Sequence, residues 1–481
     1  MSRVVFVNPL DTSLSVKGLG LKAPPLNLMY LAGAVERAGF VPHIIDANLI
    51  NGLPKKIAEM IARLRPDLVG LTATTATISK AYRYIRKIRD VVPECFIFIG
   101  GPHATFLPTE TLAECPELDA VVIGEGEETV VDLVRSFLPA DTQWLERIRG
   151  IVFRKKEGDT ERVVVTPPRP LIQNLDTLPF PARHLVPYSE YKLFNGDAAA
   201  GFMITSRGCS FGCKYCASSH LMGGRFRARS PKNVVDEVEE LTETYHVENL
   251  EFLDDNFMLD RSRALNIARE IQERGLDVSF VASSRVNEVN HHVLSGLHQA
   301  GMSTIYYGVE SGSLRTLQLM NKRITLAMAE DAVKTAKECG ISVLSSFILG
   351  YPGETSEDMN ATIRFAIRLD PDYAQFTILT PYPGTPIYRE LKEKGLLATA
   401  DWDHYTVTEP VIRYESFGLT AGQISRKLKE AYLRFYLRPG YLFKRPGLLK
   451  SVIFGLYHSY LKPAFRHSDP QGWYRNLPAG R

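Results

Sequence analysis

Short, almost wholly apolar runs recur along the chain in two series. In the first 140 residues they are "RVVFVNP" (3–9), "PHIIDA" (42–47), "DLVGLTA" (67–73), "CFIFIGG" (95–101) and "DAVVIGEG" (119–126). None alternates polar with apolar positions, so each suits a strand buried on both faces, as in a parallel sheet. Helix-length amphipathic segments lie between them, near 27–38, 53–64, 77–91 and 127–137. Five strands joined by helices predict a doubly wound, flavodoxin-like α/β domain over residues 1–140. Its ligand crevice should lie beyond the carboxyl ends of the strands. Those ends carry Asn8-Pro9, Thr72 to Thr74, Gly100-Gly101-Pro102-His103 and Gly124-Glu125-Gly126. A GxGxxG fingerprint is absent after the first strand, which argues against a Rossmann nucleotide site.

Residues 141–195 read as a connection. It opens with a hairpin around Gly158-Asp159 and continues as the proline-rich "PPRPLIQNLDTLPFPARHLVP". From "GFMITS" (201–206) a second βα series begins. It continues through "NLEFLDD" (249–255), "VSFVASS" (278–284), "STIYYGVES" (303–311), "ISVLSSFILG" (341–350) and "YAQFTIL" (373–379). Ser230-Pro231, Thr325 and Thr355-x-x-Asp358 mark helix starts. Six βα units over 196–400 predict a partial (β/α)6 barrel of the TIM type, with its chemistry at the C-terminal strand ends. Residues 401–481 read as a mainly helical region. Its basic-aromatic stretch "AYLRFYLRPGYLFKRPGLLK" reads as a cover for the barrel mouth or as a face for peripheral membrane contact.

Composition narrows the class. A net charge of +3 over 481 residues, with 23% charged and 45% hydrophobic residues, is that of an ordinary globular protein and argues against a nucleic-acid binder. No N-terminal stretch resembles a signal peptide. The apolar stretches near the C-terminus are broken by Lys450, His458 and Lys462, so no membrane span is expected. Six cysteines, three of them clustered, suit a reducing cytoplasm with thiolates as ligands better than a disulfide framework. Cys95, Cys115 and Cys339 stand alone and read as small core residues.

The cluster is "RGCSFGCKYCASSH" (207–220), with Cys209, Cys213 and Cys216 in one loop and His220 four residues on. The spacing allows two metal centres. Three thiolates and His220 would close a tetrahedral zinc site, the reading of a non-enzymatic binding protein. Three thiolates alone would leave one iron of a [4Fe–4S] cubane open to another ligand. The loop leaves the first strand of a βα series, where active sites lie, which favours the cluster and demotes His220 to a loop residue.

Cys-x3-Cys-x2-Cys, with aromatic Tyr215 before the last cysteine, resembles the CxxxCxΦC signature of radical S-adenosylmethionine (SAM) enzymes. The resemblance implies that Cys209, Cys213 and Cys216 hold a [4Fe–4S] cluster. SAM would chelate the fourth iron and be cleaved to a 5′-deoxyadenosyl radical. It also implies Tyr215 against the adenine, and Asp254 or Asp255 on the SAM amino group in place of a "GGE"-type motif. Ser283 and Arg285 would meet the SAM carboxylate, and Glu310 of "GVESGS" the ribose and methionyl region. Ile348 and Gly350 of "FILGYPGET" would give backbone contacts to the adenine, and "TPYPGTPIY" (380–388) matches the sixth strand end of the same group.

The α/β domain before this barrel resembles the cobalamin-binding domain of cobalamin-dependent radical SAM enzymes, as do "GGPHATFLP" and "VVIGEGEET". The loop after the first strand, "NPLDTSLSVKGLG", has Asp11-x-Ser13 where a DxHxxG motif would supply a lower histidine ligand, so cobalamin would bind without that histidine. Thr72, Thr74, Gly100, Gly101, Pro102 and His103 are the expected tail pocket. The implied function is methylation of an unactivated carbon or phosphorus centre of a small-molecule or lipid-like substrate. A flavodoxin or ferredoxin would be the electron donor. The alternative is the ring-closing chemistry of the Mg-protoporphyrin monomethyl ester oxidative cyclases, whose tail "FYLRPGY" resembles. A tRNA methylthiolation role is disfavoured, because the N-terminal domain lacks its own cysteine triad.

Overall fold

The computed structural model describes residues 3–11, 23–137, 143–192 and 200–444. The described residues divide into two compact units, the first running to Ala200 and the second beginning at Gly201.

The first unit is built on a seven-stranded sheet. Its strands are β1 (Arg3–Asn8), β2 (Val41–Asp46), β3 (Leu68–Thr72), β4 (Phe96–Gly100), β5 (Ala120–Val122), β6 (Ile151–Glu157) and β7 (Thr160–Val165), in the order β2-β1-β3-β4-β5-β6-β7. The first five run parallel, with Val4 beside Leu68 and Val7 beside Leu71. This 2-1-3-4-5 order is the flavodoxin-like arrangement, whose crossovers leave β1 in opposite directions and open a crevice beyond β1 and β3. Val4 to Val7, Ile45, Leu68, Val69, Ile97 and Ile99 are fully buried or nearly so. Helices Leu26–Arg37 and Glu127–Ser136 pack together, as do Pro54–Leu64 and Ile78–Val91, giving the sheet two covered faces.

The hairpin read from sequence as part of a connection is β6 and β7, and it extends the sheet: β6 pairs antiparallel with β5. The proline-rich segment after it also lies on this unit. The Ala182 amide donates to the Met29 carbonyl at 3.0 Å, and the Tyr191 hydroxyl donates to buried Asp46 at 3.0 Å.

The second unit carries β8 (Ala200–Met203), β9 (Ser206–Arg207), β10 (Arg227–Ala228), β11 (Asn249–Phe252), β12 (Ser279–Ser284), β13 (Met302–Glu310), β14 (Ser342–Leu349) and β15 (Tyr373–Ile378). Strands β8 and β11 to β15 form a six-stranded sheet in chain order, parallel from β11 to β15, and open rather than closed into a ring. Each of helices Pro231–Tyr245, Arg261–Glu273, His291–Gln299, Leu326–Glu338 and Ser356–Leu369 packs on the next, so they share one face, as right-handed βα crossovers require. Phe280, Ala282, Ile305, Tyr307 and Phe376 lie buried on that face, whereas Ser283, Tyr306, Ser346 and Thr377 on the other stay partly exposed. This is the inside of a partial barrel, half polar and accessible.

The expected capping residues are in place. Ser230 accepts from Asn233, Thr325 from Met328, and Thr355 and Asp358 form a reciprocal capping box. Helix Ala421–Tyr436 follows the barrel and packs on β15 and on helix Ser356–Leu369. Of the basic-aromatic tail, residues 445–481 lie outside the described residues, as does Ser13. Among the described residues, no helix is long and apolar enough to cross a membrane.

Candidate functional site

The cysteine loop is closed at its base by a two-stranded ribbon, Ser206 and Arg207 of β9 against Ala228 and Arg227 of β10. The loop therefore projects from the carboxyl end of the first barrel strand. Three contacts hold it in shape. Asn321 donates to the Gly212 carbonyl at 2.7 Å, the Lys214 amide to the Met320 carbonyl at 3.0 Å, and the Ile387 amide to the Lys214 carbonyl at 3.2 Å. The last of these brings "TPYPGTPIY", beyond the sixth strand, onto the loop.

Cys213 is buried, while Cys209 and Cys216 are half-buried. Burial raises the Cys209 and Cys216 thiols above the ordinary thiol range. Cys209 also feels the charges of Cys216 and Cys213, with Arg285 opposing them, so the three sulfurs share one electrostatic neighbourhood. Among the described residues, no three His, Cys, Asp or Glu side chains converge closely enough to hold a single metal ion. His220 hydrogen-bonds the Cys213 backbone, and burial, then Arg389, lowers its basicity.

The two adjacent aspartates after β11 have different roles in the fold. Asp254 is buried and accepts from the Thr205 amide (2.6 Å), the Ser206 amide (3.1 Å), the Ser206 hydroxyl (2.6 Å) and the Thr205 hydroxyl. Both of its oxygens are committed to tying β11 to the strand that enters the cysteine loop. Asp255 is exposed; one oxygen accepts from the Gly208 amide at 2.9 Å, at the root of the loop. Sequence reasoning left the SAM amino contact to either carboxylate, and this geometry leaves Asp255 as the one with an accessible face. Asn256, next in the chain, was missed. It is 1% exposed, and neither its amide nitrogen nor its oxygen has a hydrogen-bond partner. An orphaned amide at a strand end is where a polar ligand fits.

Ser283, at the end of β12, donates to the Asp254 carbonyl at 2.6 Å. Arg285 turns onto the cysteine loop. It lies 3.9 Å over the Phe211 ring, donates to the Cys213 sulfur at 3.3 Å, and also donates to the Lys322 carbonyl. Glu310, the last residue of β13, has φ +70° and pairs with the buried Lys322 ammonium at 2.9 Å; the same ammonium reaches the Tyr215 hydroxyl at 3.2 Å. Gly308 makes room for this pair: a Cβ there would stand 2.4 Å from a Glu310 oxygen and 2.8 Å from the Lys322 nitrogen. Burial, then the Glu310 charge, holds the Tyr215 hydroxyl protonated. Lys322 and Phe211 were also missed, since an isolated Lys or Phe in a loop carries no spacing signal.

Ile348 lies in β14 beside Thr377. Gly350 follows β14 at the start of a turn. Its amide donates to Glu354 at 2.7 Å, and its carbonyl accepts from the Tyr414 hydroxyl at 3.0 Å. Its amide is engaged within the turn and its carbonyl by Tyr414 from outside it, and a Cβ would meet that hydroxyl at 2.9 Å.

In the first unit, the expected tail-pocket residues gather at the ends of β3 and β4. Gly101 has φ +100°, and a Cβ there would stand 2.6 Å from the Ala73 carbonyl oxygen, so only glycine lets the two strand ends touch. The Ala73 amide donates to the Gly100 carbonyl at 3.1 Å, and Pro102 opens helix Pro102–Phe106. Thr72 accepts from Asn27 at 2.7 Å, and the Thr74 amide donates to Thr77 at 3.0 Å. His103 is buried with one ring nitrogen 3.1 Å from Thr75, and burial depresses it to about 4, so it stays neutral. Asp11 sits 3.7 Å from Lys80 and its amide donates to Asn48 at 2.7 Å.

Comparison with known proteins agrees with this geometry. A radical SAM superfamily model matches residues 203–366, and a B12 binding domain model matches residues 15–134. An "uncharacterized methyltransferase" of Pyrococcus horikoshii is 41% identical over 468 residues, covering 95% of this chain and 98% of its own. The anaerobic magnesium-protoporphyrin IX monomethyl ester cyclase of Cereibacter sphaeroides is 30% identical over 470 residues, covering 96% and 75%. The cytidylyl-2-hydroxyethylphosphonate methyltransferase of Streptomyces wedmorensis is 28% identical over 447 residues, 82% of each chain. In fold, the chain is similar to the radical SAM methyltransferase TsrM from Kitasatospora setae, solved with cobalamin and a [4Fe–4S] cluster. The TM-score is 0.67 at 21% identity, over 82% of this chain and 75% of that one.

Proposed function

The chain belongs to the radical SAM enzymes that carry a B12-binding domain, and from that premise we propose that it is a methyltransferase acting on an unactivated carbon or phosphorus centre. The observation that carries this reading is the three-thiol loop at the carboxyl end of the first barrel strand, in a chain whose other unit has the flavodoxin-like order. Three thiolate donors suit a four-iron cluster with one iron left for SAM. Bound, the cluster supplies the electron that cleaves SAM, and cobalamin supplies a carrier for the methyl group.

The chain's own residues orient and shield these groups. Cys209, Cys213 and Cys216 hold the cluster, and Asp255 takes the SAM ammonium beside the orphaned Asn256 amide. Glu310 and Lys322, fixed to each other, hold the Tyr215 ring in place at the loop. Ser283 braces the Asp254 backbone from the neighbouring strand. At the cobalamin tail, Thr72, Thr74 and the Gly100 to His103 turn form the wall, with neutral His103 offering a ring nitrogen rather than a charge. The half-polar barrel interior, with Tyr306, Ser346 and Thr377 partly exposed, suits a small-molecule or lipid-like substrate. A low-potential flavodoxin or ferredoxin in the cytoplasm is the electron donor this reading requires.

The 30% identity to a cyclase favours a second reading, in which the same cofactors serve ring closure. Anaerobic reconstitution tests the cofactor set. The wild-type chain should take up about four irons with a brown charge-transfer band and one cobalamin. Cys213→Ala should lose the irons and keep the cobalamin. A colourless chain holding one zinc would contradict the proposal.

A further inference from the structure

The Arg285 guanidinium has a seat of its own. It lies at the end of β12 and is 6% exposed. One nitrogen donates to the Cys213 sulfur at 3.3 Å, a second to the Lys322 carbonyl, and the third to Asn287 at a long 3.4 Å. Its plane lies 3.9 Å over the Phe211 ring, inside the cysteine loop itself. Cys213 therefore faces one immobilised, buried cation and takes a charge-assisted hydrogen bond from it. Stacking on Phe211 and bonding to the Lys322 backbone keep that cation from swinging out to water.

We propose that Arg285 is a positioning residue that raises the reduction potential of the cluster by bonding the Cys213 thiolate. This rests on the cluster reading above. Reduction adds one electron, and so one negative charge, to a cluster already surrounded by three thiolates. No bond forms or breaks in that step, and the electron comes from the external low-potential donor. A nearby fixed cation favours the more negative state, and a hydrogen bond to a ligand sulfur does the same; both are recognised controls of cluster potential. Burial strengthens the effect, because little water screens the charge. SAM cleavage requires a reduced cluster, so this residue widens the range of donors able to drive the enzyme. Phe211 and the Lys322 carbonyl serve as its mount.

The test is an anaerobic potentiometric titration of the reconstituted full chain without SAM, at one pH, followed by electron paramagnetic resonance of the reduced cluster. Arg285→Gln should retain about four irons and shift the reduction equilibrium at least tenfold toward the oxidised form, a midpoint about 59 mV lower for one electron. Arg285→Lys keeps the charge without the planar fork and should fall between the two. An Arg285→Gln midpoint within threefold of wild type, with the cluster fully loaded, overturns the proposal. If Arg285→Gln assembles no cluster, Phe211→Leu takes its place, since it removes the stacking half of that mount and leaves every thiol. A lowered midpoint there supports the proposal and a wild-type midpoint overturns it. A wild-type chain that assembles no four-iron cluster would instead sink the cluster reading, and this inference with it.

Discussion

Asp254 and Asp255 are adjacent, chemically identical and set to opposite tasks. Just beyond β11 the chain turns Asp254 inward, where four donors from Thr205 and Ser206 saturate it, and leaves Asp255 exposed. Burial raises the Asp254 carboxyl above its ordinary range, and Arg263 and the Ser206 and Thr205 donors offset that only in part. Removing the acceptor strands buried donors, each costing about 1–3 kcal/mol. Asp254→Ala is therefore expected to destabilise the second unit by more than about 3 kcal/mol. Asp255→Ala should stay within about 0.5 kcal/mol of wild type, as exposed changes do, while weakening SAM binding at least tenfold. Thermal unfolding and a SAM titration on the reconstituted protein separate the two. Equal effects of both changes on stability would refute the division of roles.

At the scale of elements, the turn after β14 shows how a motif serves structure as well as ligand. Glu354 is buried and accepts from the Gly350 and Tyr351 amides at 2.7 and 3.1 Å, closing the turn on itself. Burial pushes its carboxyl from 4.5 up to about 8, more than these two bonds lower it. The folded chain thus holds a proton there that the unfolded chain releases above 4.5. Stability from this group is fully present below that value and declines as pH rises toward about 8. Glu354→Gln keeps the accepting oxygen and removes the titration. Urea midpoints at pH 5, 6.5 and 8 should fall for wild type and fall less steeply for the variant; parallel slopes would contradict the assignment.

The same element scale shows what was legible beforehand. Apolar runs without alternation marked the parallel strands, and Thr355-x-x-Asp358 marked its helix, because both signals are local. The hairpin 151–165 was visible as a hairpin, but its pairing with β5 was not. That pairing depends on the free edge that five parallel strands leave, a property of the sheet rather than of the segment. At the site, the three thiols and Tyr215 were legible from spacing. Lys322, Phe211 and Asn256 were not, since each matters only through a neighbour brought from another strand end. Gly350 was visible as a special position, yet its amide and carbonyl are used within the protein.

Across the whole molecule, one unit has the flavodoxin-like order and the other the open six-stranded parallel order. Each gathers its distinctive residues at the carboxyl ends of its strands, where βα loops vary without disturbing the sheet beneath. Family membership follows from these features and from relatives that match nearly the full chain. What separates methyl transfer from ring closure is how SAM is consumed. Methyl transfer uses SAM in two ways, leaving S-adenosylhomocysteine as well as 5′-deoxyadenosine, whereas radical generation alone leaves only the latter. The most direct test is therefore product analysis of the fully reconstituted, cobalamin-loaded chain under a low-potential reductant. The account predicts both products, with S-adenosylhomocysteine lost when cobalamin is withheld. 5′-Deoxyadenosine alone, with or without cobalamin, would contradict it.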